Sequence, residues 1–105
     1  MAYDEKLAAR IRVALHTTRN ITEKKMFGGI AFMRDGKMFC GIATKALMLR
    51  LGPEGATAAR KRAHVRPMDF TGRPMKGYVY VDLPGLKGAA LAAWIKKATD
   101  FVKTL

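Results

Sequence analysis

The chain contains few of the residues that build disulfides, metal centres and membrane spans. Of its 105 residues, one is cysteine, two are histidine and one is tryptophan. Cys40 alone cannot form an internal disulfide, so we expect a cytoplasmic location. No apolar run approaches the ~20 residues that cross a bilayer, and the N-terminus lacks the apolar core of a signal peptide. The sequence therefore predicts neither secretion nor a membrane partner.

Acidic residues are scarce as well. Eight Asp and Glu stand against 20 Lys and Arg, which gives a formal net charge of +12. Half of the residues are hydrophobic, a globular composition, and the length suits one domain over residues 1–105. A strongly basic balance favours nucleic acid, acidic proteins or anionic surfaces as partners.

One window of the sequence is especially basic and holds Asp69 as its only acid. Its six cations are the candidate contacts to nucleic acid or to an acidic partner: Arg60, Lys61, Arg62, Arg66, Arg73 and Lys76. Charge-assisted contacts to phosphates or carboxylates would give such a window a function. A simpler alternative remains open, because no base-reading motif accompanies the charges and a small basic protein can merely be well solvated.

No catalytic, metal or cofactor site is indicated. Cys40 lies in a strand pattern among apolar residues, which predicts a buried and inert thiol. His16, His64 and Cys40 have no metal-ligand spacing, and the scattered carboxylates form no acid–base pair. Neither Gly28-Gly29 nor Gly52-Pro-Glu-Gly55 precedes the Gly-Lys-Ser/Thr of a phosphate loop. We therefore predict a protein that is not an enzyme, with no small-molecule substrate evident.

Hydrophobic periodicity predicts an α+β domain. Its order is α-β-β-β-α-(β)-β-α, an antiparallel sheet of four to five strands with helices packed on it. We expect the following elements: helices over Asp4–Thr18, Glu54–Ala63 and Gly88–Thr104, strands over Lys25–Arg34, Lys37–Thr44, Leu47–Leu51 and Tyr78–Asp82, and a loop or irregular edge strand over Val65–Gly77. Trp94 lies in the middle of the apolar side of the last helix, so it should pack against the sheet.

Asp35-Gly36 is a strong signal for a two-residue hairpin turn, which would pair Met33 with Met38. Counting residues from this turn and from a second tight turn at Lys45-Ala46 assigns one face of the sheet to the core. That predicted core face is Phe27, Ala31, Met33, Met38, Cys40, Ile42, Leu47, Leu49 and Leu51. The opposite face then carries Ile30, Phe32, Phe39 and Met48, a possible interface for a homodimer or a protein partner. If helices cover that face instead, its residues are plain core.

Three motifs give the chain a family resemblance. Met26-Phe-Gly-Gly, Arg34-Asp-Gly-Lys-Met-Phe39 and Ala46-Leu-Met-Leu-Arg-Leu51 resemble the N-terminal domain of the TfoX/Sxy competence regulators. Arg66-Pro-Met-Asp-Phe70, the run from Arg73 to Asp82, and the closing helix are similar to its short single-domain members.

The resemblance implies a compact α+β fold, similar to the arrangement of secretion chaperones, and a capacity to dimerise. Full-length regulators of this kind act with the CRP transcription activator to switch on DNA-uptake genes. They carry a second, C-terminal domain, whereas this sequence ends at Leu105. We therefore expect a regulatory or binding module whose partner is a transcription-regulator protein or nucleic acid, with no catalytic residues to assign.

Overall fold

The computed structural model describes residues 4–26, 29–43, 46–67 and 76–105. Its elements in chain order are α1 Glu5–Ala14, β1 Ile21–Met26, β2 Gly29–Arg34, β3 Lys37–Ala43, β4 Ala46–Arg50, α2 Gly52–Ala59, β5 Val65–Pro67, β6 Tyr78–Asp82, a short 3-10 helix Leu83–Leu86, and α3 Ala90–Lys103. The six strands form one antiparallel sheet in the order β1-β2-β3-β4-β6-β5. The predicted α+β class and antiparallel sheet are confirmed. Within these four stretches, no helix has the length and apolarity needed to cross a bilayer.

The N-terminal edge of the sheet differs from the prediction. A single strand over residues 25–34 is wrong, because Met26 pairs with Gly29 and two antiparallel strands result. The sequence did not predict β1 as a separate strand, because Ile-Thr-Glu-Lys-Lys-Met shows no alternation of apolar and polar residues. An edge strand has one neighbour only, and lysines there discourage pairing with other chains. The opposite edge is β5, the irregular edge strand that the sequence allowed.

The hairpin between β2 and β3 is confirmed. Asp35 and Gly36 have φ angles of 52° and 79°, the positive values that a type I′ turn requires at both central positions. Directly beside the turn, Met33 pairs with Met38 as predicted.

Farther from the turn, the register shifts by one residue between Phe32 and Met33. Phe32 therefore pairs with Cys40, although a regular ladder would pair it with Phe39. One extra residue on β3 makes this a β-bulge, and a one-residue shift moves side chains to the other face of a sheet. The predicted faces are therefore wrong for β2 and for Met38, whereas Cys40 and Ile42 of β3 lie in the core as predicted.

Three of the four predicted interface residues fill the core. Ile30, Phe32 and Phe39 are at most 4% exposed and pack in one cluster with Cys40. Met48 alone lies on the opposite face, paired with Gly41. Ile30, Phe32 and Phe39 are therefore ordinary core residues, and only Met48 remains of the predicted interface.

The residues predicted to lie on the core face are also partly confirmed and partly wrong. Cys40, Ile42, Leu47, Leu49 and Leu51 belong to the core cluster, as predicted. The placement of the following residues on the core face is wrong: Ala31, Met33 and Met38. Phe27 lies outside the described residues.

Helices α1 and α3 cover the inner face of the sheet. The Asp4 side chain accepts a hydrogen bond of 3.0 Å from the Leu7 backbone N–H and so caps the start of α1. The buried side of α3 carries Leu91, Trp94, Ile95, Ala98 and Val102. These residues pack with the inner-face strand residues in one core.

Candidate polyanion-binding site at the second helix

Helix α2 starts where β4 ends. Gly52 has a φ of 80°, and its N–H and that of Leu51 both donate to the Gly77 carbonyl, at 3.1 and 2.7 Å. Pro53 occupies the first turn, where its missing N–H costs nothing. These bonds hold the start of α2 against the residues that lead into β6. They bring together Arg60 and Lys76, which are distant in sequence.

Arg60 and Lys76 line a common crevice of about 250 Å³, here called the basic crevice. Its other walls are Pro53, Ala56, Thr57, Pro67, Gly77 and Tyr78. None of these described lining residues carries a carboxylate. The Arg60 Nη2 donates to the Thr57 hydroxyl at 3.4 Å, and that hydroxyl donates to the Pro53 carbonyl at 2.9 Å. The crevice therefore presents two cations, and no carboxylate among the described residues forms an ion pair with either of them.

Tyr78 adds an aromatic ring to the basic crevice. It is half-buried, and the Arg50 guanidinium lies 5.9 Å from the centre of its ring. The same guanidinium lies 5.9 Å from the ring of Phe101. Arginine over an aromatic face is a favourable cation–π arrangement. A third cation therefore stands beside the ring that lines the crevice.

Arg62 belongs to a different surface. Its guanidinium lies 4.4 Å from the centre of the Trp94 ring, and the Lys97 ammonium lies 5.1 Å from the same ring. These three residues line a separate hollow together with Asp100. Arg62 therefore covers the indole rather than extending the basic crevice.

Arg66 is neutralised on the strand beside it. Its Nη2 lies 2.8 Å from Asp82 Oδ1, and its Nε donates to both carboxylate oxygens at 3.0 and 3.2 Å. These hydrogen bonds lower the pKa of Asp82 below its usual value. The guanidinium also lies 5.1 Å from the Tyr80 ring. Its charge is thus matched by a carboxylate.

The predicted basic window is therefore divided among several surfaces. Lys61 is exposed in the turn after α2, and Arg73 lies outside the described residues. Only Arg60 and Lys76 are brought into one concave site among the described members of the window. The sequence interpretation missed Tyr78 and Thr57. The regular alternation of β6 was a signal for Tyr78, since it set the side of the strand on which the ring lies.

Cys40 is buried, as predicted. It has no measurable exposure, and burial raises the pKa of its thiol well above the usual value. In the part of the chain that the structure describes, no three His, Cys, Asp or Glu side chains come close enough to hold a metal ion.

The fold and the basic crevice define a small, basic α+β domain with a crevice that two cations line. The family model described as the TfoX N-terminal domain matches residues 14–102, and the chain belongs to this family. This match confirms the resemblance that the hairpin motifs carried. Neither a curated protein nor a solved structure matches the chain.

Proposed function

We propose that this chain is a non-enzymatic regulatory module of the competence-regulator type that contacts nucleic acid in a transcription complex through the basic crevice. Membership of the TfoX N-terminal domain family supports a regulatory role. The observation that carries the nucleic-acid contact is the convergence of Arg60 and Lys76 in a crevice whose described lining has no acid.

The physical basis of the contact is charge. Arginine and lysine bind phosphate oxygens through charge-assisted hydrogen bonds, and each neutralised phosphate releases condensed counterions. Such contacts position a protein on the backbone and carry no sequence information. The structure offers Arg60 and Lys76 for this purpose, with Arg50 beside Tyr78 as a neighbouring cation. We therefore expect sequence-independent binding that weakens as salt increases.

A salt titration tests the proposal. A fluorescent duplex DNA is titrated with the parent protein, with Arg60→Gln/Lys76→Gln, and with the control Lys6→Gln/Lys87→Gln. Both control lysines are exposed and lie outside the lining of the basic crevice, and each variant loses two positive charges. The crevice variant should bind more weakly, and the slope of log K against log salt should fall by about 2, one for each lost phosphate contact.

Two results would contradict the proposal. If the control variant loses as much affinity as the crevice variant, then the diffuse net charge binds the DNA and the crevice has no special part. If the parent protein binds no DNA even at low ionic strength, the nucleic-acid contact itself is wrong.

A further inference from the structure

A second concave site opens between the end of α1 and the middle of α3. Its volume is about 570 Å³, within the range of about 300–1,000 Å³ that small-molecule sites occupy. We call it the α1–α3 cleft. It shares no lining residue with the basic crevice. The TfoX N-terminal domain match and the proposed nucleic-acid contact leave it unexplained.

The floor of the α1–α3 cleft is apolar. Leu15 and Ile95 line it and are at most 5% exposed, so they form part of the core surface. Ala14 and Ala92 line it beside them with the smallest apolar side chains. Small side chains leave room above a fixed apolar surface. A planar ring that lay against this apolar surface would bury part of its face.

Two arginines give the cleft its charge. Arg19 and Arg34 both line it, and neither has an ion-pair partner in the described part of the chain. The fold brings them together because Ile21 pairs with Arg34 and the Asp35 N–H donates to the Asn20 carbonyl at 3.1 Å. A guanidinium is a preferred ligand of a phosphate dianion, since it can donate two parallel hydrogen bonds.

The remaining charges in the cleft cancel one another. Lys96 and Asp100 also line it, and the ammonium lies 2.9 Å from the carboxylate. This pair leaves the two guanidiniums as the net charge of the lining. The two arginines therefore attract an anion in the cleft, and Asp100 does not cancel that attraction because it is paired with Lys96.

Hydroxyl groups complete the walls. Thr17, Thr18 and Thr99 line the cleft, and Thr99 is the one polar residue that is buried among those described. Its hydroxyl donates to the Lys96 carbonyl at 3.0 Å, so the proton is used and the oxygen lone pairs remain as acceptors. Such an acceptor suits a ligand that carries its own O–H or N–H groups.

We propose that the α1–α3 cleft binds a nucleoside monophosphate. The arginines take the phosphate, the apolar floor takes the base, and the threonine oxygens accept hydrogen bonds from the sugar or the base. Inorganic phosphate would use the arginines alone, and a nucleoside would use the floor and hydroxyls alone. A ligand that carries a phosphate, hydroxyls and a planar ring uses all three surfaces at once.

Calorimetric titration tests this assignment. The parent protein is titrated with AMP, GMP, CMP and UMP, and with adenosine and inorganic phosphate for comparison. At least one nucleotide should bind more tightly than either comparison compound. The Arg19→Gln/Arg34→Gln variant should lose at least about tenfold in affinity, the effect of losing charged hydrogen bonds. The control Lys24→Gln/Lys25→Gln removes the same charge from exposed positions of β1 and should stay within about twofold of the parent.

Amide shifts in NMR spectra locate the ligand independently of these substitutions. Binding in the cleft should move the Ala92 and Thr99 signals and leave those of Thr57 and Lys76 in place. The assignment is overturned if no nucleotide binds at millimolar concentration, if inorganic phosphate binds as tightly, if the lysine control loses as much as the arginine variant, or if the shifts fall at Thr57 and Lys76. Failure of the DNA contact leaves these outcomes unaffected, because the two sites share no lining residue.

Discussion

Replacing Trp94 with alanine tests whether α3 closes the core. Trp94 is 3% exposed and lies on the buried side of α3 between Leu91 and Ala98. A buried indole removes about 150–250 Å² from water, and at about 25 cal/mol per Å² this contributes about 4–6 kcal/mol. The alanine methyl keeps part of that contact, so we expect a loss of about 3–5 kcal/mol in the free energy of unfolding.

Such a loss is a large part of the ~5–15 kcal/mol that a domain possesses. The melting temperature should fall by at least about 12 °C, since each kcal/mol shifts it by about 4 °C in a domain of this size. Far-UV circular dichroism during heating and in a urea series measures both quantities. The control is Val13→Ala on α1, where the side chain is 70% exposed and truncation should change stability by no more than about 0.5 kcal/mol.

A Trp94→Ala protein that melts within about two degrees of the parent would refute this reasoning, because α3 would then be peripheral to the core. The variant Arg62→Ala distinguishes the contribution of the Trp94 ring to stability from that of the cation above it. The guanidinium lies 4.4 Å from the ring centre, and its removal should cost only about 0.5–1 kcal/mol. A cost as large as that of Trp94→Ala would mean that the stability comes from the cation rather than from the buried indole.

Three further changes test other parts of the structure. Gly41→Ala should destabilise the sheet by about 1–3 kcal/mol in urea denaturation, because its Cβ would lie 2.7 Å from the Ile30 carbonyl oxygen; an unchanged midpoint would contradict the close strand approach. The hydrogen bond from Arg66 lowers the folded-state pKa of Asp82, so its contribution is present at neutral pH and is lost as the pH falls through that value. Asp82→Asn should therefore flatten the loss of stability below about pH 5, and an unchanged pH profile would show that the pair contributes nothing. The Cys40 thiol should react with a disulfide reagent only when urea unfolds the protein, and rapid reaction of the native protein would contradict its burial.

Local chemistry determined several elements from the sequence alone. Asp35-Gly36 predicted its turn because two positive φ angles in succession select these residue types. The β-branched and aromatic alternation of Tyr78–Asp82 predicted β6 with the observed bounds. The 3.6-residue spacing from Leu91 to Val102 predicted the buried side of α3. The motifs of the first hairpin likewise indicated the TfoX N-terminal domain family, which the match over residues 14–102 confirms.

Tertiary packing decided the faces of the sheet. The register shift between β2 and β3 places both Phe32 and Phe39 in the core, and no local signal in the sequence marks it. A count from the turn therefore gave the pairing of Met33 with Met38 but placed both on the wrong face. The polar strand β1 also exists because β2 offers it a hydrogen-bonding edge, since its own sequence has no strand pattern.

The candidate sites depend on contacts between residues that are far apart in the chain. The sequence identified Arg60 and Lys76 as cations, but the bonds from α2 to the Gly77 carbonyl place them in one crevice. Arg66 looked equivalent to them until the pairing of strands set Asp82 beside it. Side-chain type is local, whereas a partner's charge acts over a few ångströms of space and ignores distance along the chain. The sequence alone therefore determined which groups this protein carries, and only the tertiary structure decided which of them meet.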